Sequence, residues 1–121
     1  MPSDRTARVS AEIKRVLSDI IRNNVRDPRL PEMFGVTDVD VSSDFSYAKV
    51  YYSIVDGSGD EKEIRAALKS ASGFIRRELG ARVRLRQTPE LRFERDNTVE
   101  RVINLNRLID ETINNDAKKG N

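Results

Sequence analysis

The chain has 121 residues, with 22 Lys and Arg against 20 Asp and Glu, 37% hydrophobic and 35% charged side chains, and neither Cys nor His. That length supports one domain with a thin core and much charged surface. Without Cys there are no disulfides, thiolate metal sites or thiol chemistry, and without His the usual general base and the commonest metal ligand are missing. Most hydrolase and metalloenzyme classes are thereby excluded, and the expectation is a protein that is not an enzyme and needs no cofactor or metal. No apolar stretch after Met1-Pro2-Ser3-Asp4-Arg5 suits a signal peptide, and no run approaches the roughly 20 apolar residues of a membrane span. A soluble, cytoplasmic protein is expected.

Residues 5–25 read as a helix: Val9, Ile13, Val16, Leu17, Ile20 and Ile21 recur at helical spacing, with charged residues between them. Ser3 or Asp4 is placed to cap it, and Asp27-Pro28-Arg29-Leu30-Pro31 ends it, because two prolines block continuation. Residues 36–42 alternate, Val39 and Val41 on one face and Asp38, Asp40 and Ser42 on the other, as a half-buried strand does. After the turn Ser42-Ser43-Asp44-Phe45, residues 46–55 alternate again. Ala48, Val50, Tyr52 and Ile54 point inward; Tyr47, Lys49, Tyr51 and Ser53 point outward. So short a link makes the pair an antiparallel hairpin.

Asp56-Gly57-Ser58-Gly59 reads as a flexible loop, and Asp60 with Glu63 has the spacing of a capping box. The next helix carries Ile64, Ala67, Leu68 and Ala71 on one stripe, meets Ala71-Ser72-Gly73, and resumes with Phe74, Ile75 and Leu79 as far as Gly80. Glycine inside a helical pattern costs about 1 kcal/mol against Ala, so Gly73 predicts a kink or a close backbone approach. Residues 82–95 read as a third strand, with Val83, Leu85, Leu91 and Phe93 at odd positions and Arg82, Arg84, Arg86 and Arg92 at even ones. Pro89 places that strand at an edge or a bulge. Residues 98–114 read as a last helix with Val99, Val102, Ile103, Leu108, Ile109 and Ile113 on its apolar side, and 114–121 as a polar tail. The predicted architecture is an α+β two-layer sandwich, one domain over 1–121, with helices on one side of a small sheet and an ordered core of about 5–113.

Charge is segregated. Residues 36–60 hold five Asp and one Lys, whereas residues 76–95 hold seven Arg and three Glu. An all-Arg block suits phosphate recognition, since guanidinium binds phosphate in a bidentate way; it equally suits a solvated face with internal Arg–Asp pairs. A row of same-face arginines on a strand has residues about 6.6 Å apart, close to the phosphate spacing of a nucleic-acid strand. Tyr47 and Tyr51 flank Lys49 on the outward face, a pattern compatible with base stacking or with partner contact. Asp38 and Asp40 without further ligands are weak evidence for a metal.

A helix–short break–helix unit between strands is how KH modules hold single-stranded nucleic acid, through a GXXG loop that lets the backbone approach. The predicted order αββααβ is that of the type II KH fold. Arg8-Val9, Asp27-Pro28-Arg29-Leu30, Val36-Thr37-Asp38-Val39, Ala48-Lys49-Val50-Tyr51, Gly73-Phe74-Ile75-Arg76-Arg77-Glu78-Leu79-Gly80, Arg84-Leu85-Arg86 and Thr88-Pro89-Glu90-Leu91-Arg92-Phe93 follow one another over residues 5–113. In this set and order the chain resembles the ribosome-binding factor A family, small-subunit assembly factors of bacteria. In that family an interrupted helix of Ala-X-Gly type replaces GXXG, which Ala71-Ser72-Gly73 fits. Pro31-Glu32-Met33-Phe34 departs from the usual glycine-containing link, and the C-terminal tail is short.

The resemblance implies a non-catalytic monomer that binds free, immature 30S subunits and 16S rRNA. It further implies a role in late maturation, including processing of the rRNA 5′ end, that matters most in the cold. The candidate RNA-binding residues are Ala71, Ser72, Gly73, Arg76, Arg77, Arg82, Arg84, Arg86 and Arg92, with Arg5, Arg8 and Arg29 beside them. A second class of function is a protein–protein adaptor whose basic face meets an acidic partner.

Overall fold

The computed structural model describes residues 4–98 together with 102, 105 and 106. The elements are α1 (Asp4–Asn24), β1 (Phe34–Val41), β2 (Tyr47–Ile54), α2 (Glu61–Arg82) and β3 (Glu90–Arg95). β1 and β2 are antiparallel, and β3 lies parallel to β2 on its other side, giving a mixed sheet of order β1-β2-β3. The architecture is α+β. The Ser3 cap and most of the expected C-terminal helix over 98–114 lie outside the described residues; Thr98, Val102, Leu105 and Asn106 are helical.

Each element forms for a readable reason. α1 buries Ile13, Val16, Leu17, Ile20 and Ile21 on one stripe against Val39, Val41, Ala48 and Val50 of the sheet. Its C-terminal end gives way to a turn in which the Asp27 carbonyl accepts from Leu30 N–H at 3.0 Å. The hairpin turn is organised by Asp44, whose Oδ1 accepts from Ser46 N–H (3.0 Å), Ser46 Oγ (2.7 Å) and Ser42 Oγ (2.8 Å). Those bonds, Ser46 Oγ first, hold the Asp44 carboxyl down at about 2. Phe45 takes a left-handed φ of 60° in this turn, an uncommon conformation for a bulky residue. A register irregularity between Val36 and Asp38 leaves Thr37 as a bulge, its hydroxyl donating to Tyr51 C=O at 3.2 Å.

Two expectations are corrected. First, α2 is one continuous helix from Glu61 to Arg82, capped by Asp60, with no break at Ala71-Ser72-Gly73 and no stop at Gly80. Ile64, Ala67, Leu68, Ile75 and Leu79 form one buried seam running past Gly73. Burying that seam outweighs the roughly 1 kcal/mol cost of a single helical glycine. Gly80 serves contact: a Cβ there would lie 2.8 Å from Thr88 Oγ1. Second, the third strand spans only Glu90–Arg95, so Arg82, Arg84 and Arg86 do not share a strand face with Arg92. Arg82 ends α2, and residues 83–89 are a loop. The ladder begins with Glu90 N–H donating to Ser46 C=O, where β2 itself begins, so earlier residues have no strand to pair with. The odd-even pattern came from Val83, Leu85 and Pro89 burying against the core from a loop.

A polar knot closes the far end of the β2–α2–β3 unit. The fully buried Tyr52 hydroxyl donates to Glu61 Oε1 at 3.1 Å, Arg65 Nε donates to the same oxygen at 2.9 Å, and the Arg95 guanidinium binds Glu61 Oε2. Burial, followed by the Glu61 charge, pushes the Tyr52 phenol up to about 12. Burial also opposes ionisation of Glu61, but the bonds from Arg95, Arg65 and Tyr52 outweigh it and hold this carboxyl below its ordinary value. Glu61→Ala is expected to cost about 2 kcal/mol in urea denaturation, because it strands the buried Tyr52 hydroxyl and removes the ion pair to Arg95. A loss within error would mean that the knot adds nothing.

Candidate nucleic-acid interface

α2 presents a cationic outer side. Lys62, Lys69, Gly73 and Arg76 are exposed and recur at intervals of seven, four and three residues, and the exposed Arg77 adjoins Arg76, which puts all five on the side away from the buried seam. Of the predicted Ala71-Ser72-Gly73 triplet, Ala71 packs toward the core and Ser72 Oγ donates to Lys69 C=O at 2.9 Å. Gly73 is different: a Cβ there would meet only Arg77 Nη1, at 3.7 Å. Among the described residues, nothing in the fold requires glycine at this position.

Arg76 Nη2 donates to Thr88 C=O at 3.0 Å and so ties α2 to the 83–89 loop. That loop carries Arg84 and Arg86, both exposed and without a hydrogen bond or ion pair among the described residues. Its Gln87 donates to Phe45 C=O at 3.4 Å, and the Arg5 guanidinium sits 5.5 Å from the Phe45 ring centroid. Gln87 of the loop and Arg5 of α1 therefore meet at the hairpin turn, and Arg76 bonds the same loop one residue further on. Arg8 is exposed on α1.

Beside this surface runs a shallow groove of about 210 Å³ between α2 and β3, lined by Arg65, Leu68, Lys69, Ser72, Leu91 and Phe93. The N–H groups of Glu90 and Asp96 bond to β2, so the alternating Leu91 and Phe93 backbone faces away from β2. The groove thus combines an apolar floor, a strand edge and a cationic wall. Lys62, Arg65 and Lys69 were not singled out from the sequence; their helical spacing to Gly73 was the available signal.

Three predicted residues lie elsewhere. Arg82 clamps α1 to α2, bonding Asp19 Oδ2 (2.7 Å), Asn24 Oδ1 (3.0 Å) and Glu78 Oε2 (3.2 Å). Arg92 is on the opposite, outer sheet face, its guanidinium 4.0 Å from the Tyr47 ring centroid. Arg29 is held by Asp27, Nη2 to Oδ2 at 2.7 Å and Nε to Oδ1 at 3.0 Å, with Ser70 Oγ at 3.5 Å. Asp38 and Asp40 are exposed, and no group of three or more potential metal-ligating side chains occurs among the described residues. Among the same residues no helix is long and apolar enough to cross a membrane.

The ribosome-binding factor A family model matches residues 5–109. The chain belongs to that family. It is 50% identical over 109 residues to ribosome-binding factor A of Acetivibrio thermocellus, covering 90% of this chain and 89% of the relative. It is 45% identical over 117 residues to that of Clostridium botulinum, covering 97% and 98%. The crystal structure of ribosome-binding factor A from Thermus thermophilus superposes with a TM-score of 0.65 at 33% identity, over 74% of this chain and 94% of that one. A Thermus thermophilus ribosome-binding factor A homology model fitted into the cryo-EM map of a 30S–RbfA complex superposes with a TM-score of 0.60 at 32% identity, over 72% and 90%.

The Asp27–Arg29 pair has a pH signature of its own. Arg29, through its side-chain bonds and then its N–H, holds the Asp27 carboxyl at about 2 against an ordinary 3.8. A carboxyl lowered on folding stabilises fully above its unfolded value, and the contribution disappears as pH falls through the folded one. Urea midpoints should therefore fall between pH 3.8 and about 2. Arg29→Ala should flatten that fall; an unchanged profile would show that the pair does not form.

Proposed function

We propose that this protein is a non-catalytic, cytoplasmic assembly factor that binds free, immature small ribosomal subunits through 16S rRNA. It promotes their late maturation, including processing of the rRNA 5′ end, and matters most during growth in the cold. The observation that carries the reading is Gly73, a helix-weakening residue beside which only the end of the Arg77 side chain lies, set between Lys69 and the arginines 76 and 77. A glycine that the fold does not use, in a cationic setting, fits a position kept clear for an approaching phosphate backbone. The relatives' name and the fitted 30S complex support the same partner.

In this reading the chain is a single RNA-binding domain related to type II KH modules. A single strand would lie across the outer side of α2 at Gly73, with phosphates on Lys69, Arg76 and Arg77 and bases toward the Leu91–Phe93 groove. Arg84, Arg86, Arg5 and Arg8 extend the cationic track around the hairpin end. Arg82, tied to α1, and Arg92, on the outer sheet face, are left out of it. An adaptor that meets an acidic protein with the same face is the competing reading, and RNA-dependent co-sedimentation with small subunits separates the two.

Gly73→Ala separates binding from folding. It should raise stability by up to about 1 kcal/mol, since Ala is the better helix former. It should also weaken co-sedimentation with free small subunits by about tenfold, roughly 1.4 kcal/mol. A more stable variant that binds as wild type would remove Gly73 from the interface.

Arg84→Glu combined with Arg86→Glu should leave the thermal midpoint nearly unchanged, because exposed unpaired charges contribute little stability. Affinity for small-subunit rRNA should fall. Its slope against log salt should become shallower by about 0.7 for each single-strand phosphate that is no longer neutralised. An unaltered slope would assign these arginines to solvent.

A further inference from the structure

The sheet face turned away from the buried seam offers the opposite chemistry from α2. Strand register lays its side chains out in rows: Asp40–Lys49–Arg92, then Asp38–Tyr51–Glu94, with Tyr47 opposite Glu90. The carboxylates Asp38, Asp40, Glu90 and Glu94 are all exposed, against two cations, Lys49 and Arg92. A phosphate backbone is repelled by such a face, whereas a cationic polypeptide is attracted.

The two tyrosines are near-equivalents with one difference. Tyr47 carries a guanidinium, that of Arg92, 4.0 Å from its ring centroid. Tyr51 is only partly buried, lies between the carboxylates Asp38 and Glu94, and has no cation or ring against it among the described residues. It also borders a groove of about 850 Å³ that Lys14 of α1, Asp38, Asp40, Asp96 and Asn97 help to line. An aromatic ring flanked by two carboxylates is a receptor for a guanidinium or ammonium: the ring face takes the cation and the carboxylates take its N–H groups.

We propose that this face docks a basic polypeptide segment of a partner protein, with an Arg or Lys side chain seated on Tyr51 between Asp38 and Glu94. The proposal is independent of the RNA reading, since it uses the other side of the molecule. It leaves α2 free, so one molecule can hold rRNA and a basic protein at the same time. The groove beside α1 accommodates the residues that flank the seated cation.

The test uses the full chain and a capped Arg-Ser repeat peptide, followed by the NMR signals of the Tyr51 ring. Those signals are expected to shift saturably with peptide. Tyr51→Phe should bind as wild type, and Tyr51→Leu should bind about tenfold more weakly, because only the aromatic face is lost. Asp38→Asn combined with Glu94→Gln changes two exposed side chains, should preserve the fold, and should weaken the peptide by about the same factor. That variant decides the matter should Tyr51→Leu fail to fold. Poly-uridine should leave the Tyr51 signals unmoved. The proposal is overturned by absence of peptide binding, by undiminished binding to the charge-neutralised variant, or by Tyr51 signals that respond to RNA instead.

Discussion

Glu61 fixes the orientation on which both surfaces of this molecule depend. It stands in the first turn of α2, and it simultaneously accepts from Tyr52 at the end of β2 and from Arg95 at the end of β3. Three elements therefore meet at one carboxylate. A helix packed only through an apolar stripe can rotate by a fraction of a turn at modest cost, because hydrophobic burial is not directional. The hydrogen bonds at Glu61 are directional, and the Tyr52 hydroxyl they satisfy is fully buried, so rotation would leave it unpaired. The azimuth of α2 is thereby set, and with it the outward placement of Lys69, Gly73, Arg76 and Arg77, roughly twelve Å or more up the helix.

The hydrophobic period was enough to reveal α1, both strands of the hairpin and the inward set Ala48, Val50, Tyr52 and Ile54, and the spacing of Asp60 to Glu63 revealed the cap of α2. Two features were not legible, for different physical reasons. The unbroken course of α2 was hidden because propensity argues locally, whereas the seam from Ile64 to Leu79 acts along most of the helix and overrides one glycine. The loop at 83–89 imitated a strand because alternate burial is the signature of any extended chain lying on a core. Only the start of β2 decides where pairing can begin.

The candidate site was legible in part, for a related reason. Sequence shows which side chains carry charge but not which charges are already engaged. Arg82 belongs to the same basic block as Arg84 and Arg86, yet it is taken up by Asp19, Asn24 and Glu78. Arg29 is bound by Asp27, and Arg65 and Arg95 by Glu61. The missed Lys69 looked like ordinary helix surface until the position of Gly73 on the same side gave it a context.

Sorting the cations in this way changes what the net charge of +2 means. Paired arginines cancel their own carboxylates and add little to the field at a distance, whereas Arg77, Arg84 and Arg86 keep their full charge toward solvent, as do the carboxylates Asp38 and Glu94 on the other side. A nearly neutral chain can then be strongly polarised, basic across the helix and loop and acidic across the open sheet. An encounter with a nucleic-acid surface orients such a molecule before contact, turning the helix side inward and the sheet side outward. The segregation that the sequence shows between residues 36–60 and 76–95 is only partly kept on folding, because Glu90, Arg92 and Glu94 of the second block join Asp38, Asp40 and Lys49 on the outer sheet face, whereas Arg84 and Arg86 stay in the loop after α2.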